Sequence, residues 1–369
     1  MHARAVATLS LEALIHNLRA LSRHAGGVPV LLPFKADAYG HGALALARAL
    51  EAMPELDVLW GYGVASADEA FELLELPLRR PLLVLTPTDP ADAAELARRG
   101  ARVTVSTLEE GRALPPGSSV HLKVNTGMNR LGVAPQQALQ LLADLEALGL
   151  RVEGVFSHFA SADADDLTHA RTQLEAFEAL CAQLPPGVLR HLSSSSGVAA
   201  FGPRGAFDLI RPGISSYGYP ACERDRGLIP LRPVMTLRAR IGLVREVQPG
   251  DPVSYGGLWR AETPATLAVV SLGYADGYPR NATGQAQAVV QGVRRPVRGR
   301  ICMDQMMLDV TGLTVQPGDW VELISPGGPD ADEVASWGGT ISYELLVRLG
   351  RRIERRVVPM SVPLEARHG

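Results

Sequence analysis

Val28-Pro29-Val30-Leu31-Leu32-Pro33-Phe34-Lys35-Ala36-Asp37-Ala38-Tyr39-Gly40-His41-Gly42 changes character halfway along. Residues 28–34 form an apolar run short enough for a buried strand. The Gly-flanked half that follows turns the chain into a helix beginning near Ala43. Lys35 therefore stands at the C-terminal lip of a strand, facing a loop. The chain carries 36 lysines and arginines, yet only two are lysines, Lys35 and Lys123. Wherever a generic positive charge would serve, it uses arginine. The two exceptions are candidates for work that needs an amine. An amine loses its proton and attacks a carbonyl, whereas a guanidinium effectively does not.

The strand–turn–helix unit repeats outward from this stretch. Strands are expected at 28–34, 58–64, 81–85, 101–105, 119–124, 152–157, 188–192 and 207–210, each followed by a helix or helical turn. Strands in such a series run parallel and are joined by right-handed crossovers. Eight units in roughly 200 residues is the count of a closed (β/α)8 barrel of the TIM type. An open doubly wound sheet competes, but its Gly-rich dinucleotide turn is absent. After Pro230 the pattern becomes β-rich, with Gly, Pro and Asp turns and no long helix until 341–350. The expected organisation is a barrel domain at 1–231 and a mostly β domain at 232–369, hinged near 230–233. The strand expected at 5–9 precedes the barrel series and is a candidate to pack with the second domain.

Composition narrows the function. A net charge of -3 and a pI near 6.3 argue against nucleic acid or an anionic membrane as the main partner. Cys181, Cys222 and Cys302 are odd in number and widely spaced, which suits neither a disulfide framework nor a zinc site. A reducing, cytoplasmic setting fits, and no secretory leader or membrane span is evident. The polar residues at strand ends say more. Barrel enzymes carry their chemistry at the C-terminal strand ends. Lys35 follows the first strand; Lys123, Asn125 and Arg130 follow the fifth; His158 follows the sixth. Ser193-Ser194-Ser195-Ser196 follows the seventh, and Arg211 and Gly213 the eighth. A lone strand-end histidine or serine run is usually a satisfied hydrogen-bonder or a polar turn. Convergence from five strands argues for a site. Hydroxyls and free N–H groups at the last two strand ends suit a phosphate. A phosphate beside one reactive lysine suggests pyridoxal 5'-phosphate held as a Schiff base. A sugar-phosphate-binding barrel remains the alternative from these residues alone.

Lys35-Ala36-Asp37-Ala38-Tyr39-Gly40-His41-Gly42 resembles the cofactor-lysine signature of the alanine racemases, a fold-type III family. The resemblance runs along nearly the whole chain. It includes Leu122-Lys123-Val124-Asn125-Thr126-Gly127-Met128-Asn129-Arg130, Ser157-His158-Phe159-Ala160 and Ile210-Arg211-Pro212-Gly213-Ile214. It continues through Val253-Ser254-Tyr255-Gly256, Gly273-Tyr274-Ala275-Asp276-Gly277, Ile301-Cys302-Met303-Asp304 and Thr340-Ile341-Ser342-Tyr343.

The resemblance implies a homodimeric isomerase that interconverts L- and D-alanine by two-base proton transfer, supplying D-alanine for peptidoglycan. Lys35 is implied as cofactor lysine and one base. Tyr255, from the partner subunit, is implied as the other, although a phenol of pKa ~10 is a poor base unless its neighbours help. His158 resembles the residue that bonds this tyrosine, and Arg211 the arginine at the pyridine nitrogen. Tyr39, Ser195, Gly213, Ile214 and Tyr343 match the phosphate ligands. Arg130 and the Met303 backbone N–H match the substrate-carboxylate contacts. Tyr274 and Tyr343 match a narrow entrance. Lys123 matches a lysine that is carbamylated in many members, and no metal is implied. Asn125 stands where the family often has Asp. Racemases of broader or serine specificity remain alternatives, as does, more distantly, a related decarboxylase, against which Arg211 argues.

Overall fold

The computed structural model describes residues 3–359. Residues 1–2 and 360–369, the ends of the expected domain bounds, lie outside the described residues. The chain divides into two units. One holds Leu14–Ala38 and Leu46–Leu231; the other holds 3–13, Tyr39–Ala45 and 232–359. No helix among the described residues is long and apolar enough to cross a membrane.

Strand β1 (Ala5–Ser10) belongs to the second unit. The first unit is built on seven parallel strands. They are β2 (Val30–Pro33), β3 (Leu59–Val64), β4 (Leu82–Val84), β5 (Arg102–Val105), β6 (Ser119–Lys123), β7 (Arg151–Phe156) and β8 (Leu189–His191), side by side in chain order. Every residue of β2 and β4 is buried, as parallel strands covered on both faces require. Helices return the chain between strands, several with sequence-readable starts. Ser66 and Thr107 close capping boxes with Glu69 and Glu110, and Asp89 caps Pro90–Arg98.

The expected eighth strand at 207–210 contracts to two bridges, Leu209 to His191 and Ile210 to Val30. The backbone still reaches both neighbours. Ile210 N–H donates to Pro29 O at 3.1 Å, Leu31 N–H to Ile210 O at 2.9 Å, and Asp208 N–H to Arg190 O at 2.9 Å. These bonds join β8 to β2 and close the ring. Phe207 at φ 56° breaks extended conformation one residue earlier, which keeps the strand short.

The second unit has β9 (Met235–Val247), β10 (Pro252–Val253), β11 (Trp259–Arg260), β12 (Ala265–Val270), β13 (Gln287–Val290), β14 (Val293–Arg298), β15 (Met306–Asp309), β16 (Trp320–Ile324) and β17 (Glu354–Val358). The N-terminal half of β9 pairs with β16 and its C-terminal half with β12. The strands β9, β12, β15, β14, β13 and β16 thus close on themselves, and β1 and β17 extend the sheet from β9. Alternating burial along the start of β9 marks one face as core. A helix at Ala331–Trp337, capped by Asp330, precedes the one at Ser342–Arg348. The sequence reading missed the first of these.

Between β2 and the helix Ala43–Glu51, the expected plain turn is a left-handed helical turn, Lys35–Gly40. Ala36, Asp37, Ala38 and Tyr39 all have φ between 52° and 55°, and Gly40 has φ 77°. Left-handed winding costs ~1–2 kcal/mol per L-residue, so four non-glycine residues store on the order of 4–8 kcal/mol. A tertiary bond and a local backbone bond hold it. Ala36 N–H donates to the Glu69 carboxylate at 2.6 Å, and Ala38 N–H to Phe34 O at 2.8 Å. Glu69 also accepts the N–H groups of Ala65 and Ser66 at 2.8 and 3.3 Å. At Gly40 a Cβ would stand 2.0 Å from Leu346 O, so no larger residue fits this end of the turn.

Candidate active site

The strand ends of the barrel unit bring Lys35, Lys123, Arg130 and Arg211 within electrostatic reach of one another. The Lys35 side chain keeps exposed surface at the mouth. The protein crowded around its amine, with Arg130 and Arg211, still lowers its pKa, and Glu69 opposes that shift. Lys123, at the end of β6, is buried, and burial followed by Arg211 and Arg130 holds it well below the usual lysine range. Its Nζ lies 4.3 Å from the Phe156 ring centroid, and Arg211 Cζ lies 5.3 Å from the same centroid.

Arg211 is 5% exposed, and burial pushes its guanidinium down to about 9, still charged at neutral pH. Its Nη2 donates to Ser157 O at 2.7 Å, Leu192 O at 2.9 Å and His158 Nδ1 at 3.3 Å. Its Nη1 donates to His191 Nδ1 at 2.8 Å. Among the described residues its Nε–H has no protein acceptor. His191 Nε2 lies 2.8 Å from His121 Nδ1, and the His191 ring stacks on Phe156 at 4.8 Å. Neither His121 nor His191 was singled out from sequence. Lys123 sits two residues after His121 on β6, so both share one strand face; that parity was the available signal.

Burial sets the charge of all three imidazoles. It is the largest cause in His158 and His191, both held well below the usual histidine range with Arg211 next. Burial also lowers His121, to about 4. In the unfolded chain each imidazole binds a proton as pH falls through ~6.5. In the folded chain His121 stays neutral to about 4. Protons therefore bind the unfolded state preferentially, and stability present above ~6.5 is lost as pH falls toward the folded value. At ~1.4 kcal/mol per pKa unit, His121 alone accounts for about 3 kcal/mol. Thermal melts are expected to show Tm falling between about pH 6.5 and pH 4; a flat profile there contradicts neutral buried imidazoles.

Two loops frame the rim. Asn125 Oδ1 accepts the N–H groups of Gly127 and Asn129 at 3.1 and 2.9 Å, while its Nδ2 donates to Asn129 Oδ1 at 2.9 Å. An aspartate keeps the first two bonds and loses the third, so the departure from the family pattern is matched locally by Asn129. Gln173, fully buried, accepts Ala160 N–H at 2.8 Å and donates to His158 O at 3.1 Å, fixing the strand end that carries His158. On the other side Ser195 opens the helix Ser195–Phe201, and Ile214 opens the 3-10 turn Ile214–Tyr217 after Gly213. Ser195 Oγ accepts Ser215 N–H at 3.2 Å and so lies between these two starts. Ser193 Oγ is committed to Gly205 O at 2.7 Å. First-turn N–H groups lack partners within their own helix, which is the donor chemistry a phosphate needs.

In the second unit the Tyr39 and Tyr343 rings stand 6.1 Å apart, and burial raises the Tyr39 phenol. Tyr255 begins a 3-10 turn after β10, not a strand, and is 69% exposed. Ser254 before it has φ 64° and donates its hydroxyl to Arg300 O at 2.6 Å. Tyr255 and Met303 line a wide groove of about 980 Å³ with Val253, Cys302, Asp304 and Gln305. Tyr274 opens a turn whose N–H donates to Cys302 O at 3.1 Å, and buried Asp276 accepts Gly273 N–H at 3.0 Å to hold that turn.

Comparisons with known proteins agree on both units. Residues 9–221 match the sequence model described as "Alanine racemase, N-terminal domain", and residues 234–357 match "Alanine racemase, C-terminal domain". The chain is 51% identical to the alanine racemase of Deinococcus radiodurans over 354 residues, 96% of this chain and 99% of that one. It is 49% identical to the alanine racemase of Deinococcus deserti over 359 residues, 97% of this chain and 100% of that one. The crystal structure of alanine racemase from Streptomyces lavendulae is similar with a TM-score of 0.85 at 33% identity, covering 100% of both chains. With both family segments present in order, and about half of all residues shared along nearly its full length, the chain belongs to the alanine racemase family.

Proposed function

We propose that the protein is a homodimeric, pyridoxal 5'-phosphate-dependent racemase that interconverts L- and D-alanine. The observation that carries this reading is the cationic barrel rim. Glu69 is the only carboxylate among the groups that shift Lys35, Lys123 and His158, against the cations Arg130 and Arg211 and the two lysines themselves. Such a rim favours anionic occupants, and a cofactor phosphate and an amino-acid carboxylate both qualify. The donor set fits the cofactor: one amine with a lowered pKa, one buried guanidinium with an unused Nε–H, and adjacent hydroxyl and N–H donors.

Pyridoxal 5'-phosphate, when bound, supplies a conjugated ring that acidifies the α-hydrogen of an amino acid attached to it. The residues that hold it in this reading are Lys35, Tyr39, His158, Ser195, Arg211, Gly213, Ile214 and Tyr343. Arg211 would face the ring nitrogen as a hydrogen-bond donor that keeps its own proton, a setting that would leave that nitrogen uncharged and limit side reactions. Lys35 Nζ takes and returns the α-proton on one face of the substrate carbon. A lowered pKa makes its neutral form available at lower pH than for a free lysine. Tyr255, contributed by the partner subunit, does the same on the other face through its phenolic oxygen. Arg211 donates to His158 Nδ1, so neutral His158 carries its proton on Nε2, free to be donated to that oxygen. Arg130 and the Met303 N–H bind the substrate carboxylate. Tyr274 and Tyr343 narrow the entrance to favour a methyl side chain. The reading extends to a cytoplasmic supply of D-alanine for peptidoglycan.

Lys123 is carbamylated in this reading. Its lowered pKa favours the neutral amine, which adds to carbon dioxide, forming an N–C bond and releasing a proton. The product replaces a buried amine, disfavoured as a cation beside Arg130 and Arg211, with an anion that both guanidiniums attract. Protein equilibrated with isotopically labelled bicarbonate is expected to show a carbamate carbonyl signal by NMR that Lys123→Ala lacks. A bare amine at neutral pH contradicts it.

The experiment for the whole reading is a racemisation assay with L-alanine, D-alanine and L-serine on cofactor-loaded protein. Turnover of both alanine enantiomers, well above serine, is expected. Inactivity on alanine with clear turnover of another amino acid would overturn the substrate.

A further inference from the structure

Arg211 is the end of a buried hydrogen-bond chain that runs back into the barrel, Arg211 to His191 to His121. Its direction follows from donor chemistry alone. A guanidinium has no acceptor atom, so Nη1, 2.8 Å from His191 Nδ1, must donate there. His191 Nδ1 therefore carries no proton, and His191 is the neutral tautomer protonated at Nε2. That Nε2–H, 2.8 Å from His121 Nδ1, has to be the donor in the second bond. His121 Nδ1 is then also bare, and its own proton sits on Nε2. Both histidines are fully buried, so no water competes at either shared bond. His121 Nε2 is itself buried with no hydrogen-bond partner among the described residues, so the chain ends there.

We infer that His121 is a positioning residue: by accepting the Nε2–H of His191 it locks His191 in the one tautomer that can accept from Arg211, and so fixes the guanidinium. Without His121 the His191 Nε2–H faces an apolar wall, and moving the proton to Nδ1 becomes the way to relieve it. That tautomer presents a donor to a donor, and Arg211 loses its Nη1 tether while its Nη2 bonds to Ser157 O and Leu192 O remain. The guanidinium then pivots about Nη2. The surroundings make the position demanding. Trp60 and Phe156 approach the His121 ring edge-on at 6.0 and 6.5 Å, and a Cβ on Gly154 would come within 2.6 Å of His121 Nδ1. Gly154 is thus the residue that leaves room for the His121 ring.

The effect on turnover rests on the racemase reading; the tautomer assignment does not, and the two are measured separately. Imidazole nitrogen NMR on histidine-labelled, cofactor-loaded protein is expected to show His191 protonated at Nε2 alone. His121→Leu removes the acceptor at similar size, while His121→Asn keeps one, with its amide oxygen near the place of Nδ1. The leucine variant is expected to lose the Nε2-protonated His191 signal and about tenfold in kcat for alanine, the size of one buried hydrogen bond, with KM little changed. The asparagine variant is expected to restore both. Should the leucine variant not fold, the wild-type tautomer and the asparagine variant still decide. A wild-type His191 protonated at Nδ1, or on both nitrogens, overturns the inference. So does a folded leucine variant with an unchanged His191 signal, or an asparagine variant as defective as leucine. Correct tautomers in a protein inactive on alanine would leave the relay standing and sink the racemase reading instead.

Discussion

Lys35→Ala is expected to abolish alanine racemisation in both directions, by at least about 10,000-fold, without unfolding the protein. The loss is large because one side chain is assigned two tasks, holding the cofactor and moving the α-proton on one face. The fold survives for an electrostatic reason. Burial, Arg130 and Arg211 lower the Lys35 pKa, so the folded protein disfavours its ammonium relative to the unfolded chain. The attraction to Glu69 is outweighed by burial and the two arginines, so removing the group costs no net favourable charge interaction at neutral pH and by linkage removes a small penalty. The left-handed turn is held through Ala36 N–H and Ala38 N–H, neither of which belongs to the lysine side chain. Circular dichroism and a thermal melt check the fold, and polarimetry checks turnover. Retained racemisation in a folded Lys35→Ala protein refutes the assignment.

Tyr255→Phe is expected to reduce racemisation by roughly 100- to 10,000-fold, the range for removing one general acid–base group. Racemisation in either direction needs a proton removed on one face and returned on the other, so both directions fall together. Exchange of the α-hydrogen with solvent separates the two bases. The variant keeps Lys35 and is expected to wash deuterium into one enantiomer of alanine at a near-normal rate while the other stays protonated. Equal exchange into both enantiomers contradicts a two-face division of labour. The exposed position of Tyr255, in a turn beside a wide groove, suits a residue that acts on a second copy of the chain. Mixed dimers of Lys35→Ala and Tyr255→Phe chains are therefore expected to regain one working site.

Much of this was legible in the order of residue types. Parallel strands buried on both faces leave apolar runs, and the chemistry has to come at their ends, so Lys35, Lys123, His158 and Arg211 were visible as strand-end residues. What the sequence hid were features enforced from elsewhere in the fold. Ala36, Ala38 and Tyr39 carry no preference for left-handed backbone; the turn is held by Glu69, 33 residues away, which takes the Ala36 N–H while it also closes the capping box with Ser66. The eighth strand looked longer than it is because Phe207 is apolar, and apolarity does not report its positive φ. Tyr255 is carried by a turn that local pattern does not announce: Val253 ends β10, and Ser254 at φ 64° turns the chain before it. His121 is a single polar residue inside an apolar strand and, its parity with Lys123 aside, nothing local marks it. Its partner is 70 residues away on β8, a pairing that strand order sets and local pattern does not.

The claim on which all of this depends is that one of two lysines belongs to the cofactor. A chain with only Lys35 and Lys123 makes the measurement unusually clean. Cofactor-loaded protein is treated with borohydride, digested, and its peptides are mapped by mass spectrometry. The account predicts a pyridoxyl group on the peptide containing Lys35 and none on the peptide containing Lys123. A label on Lys123, or on neither lysine in a protein that racemises alanine, contradicts it.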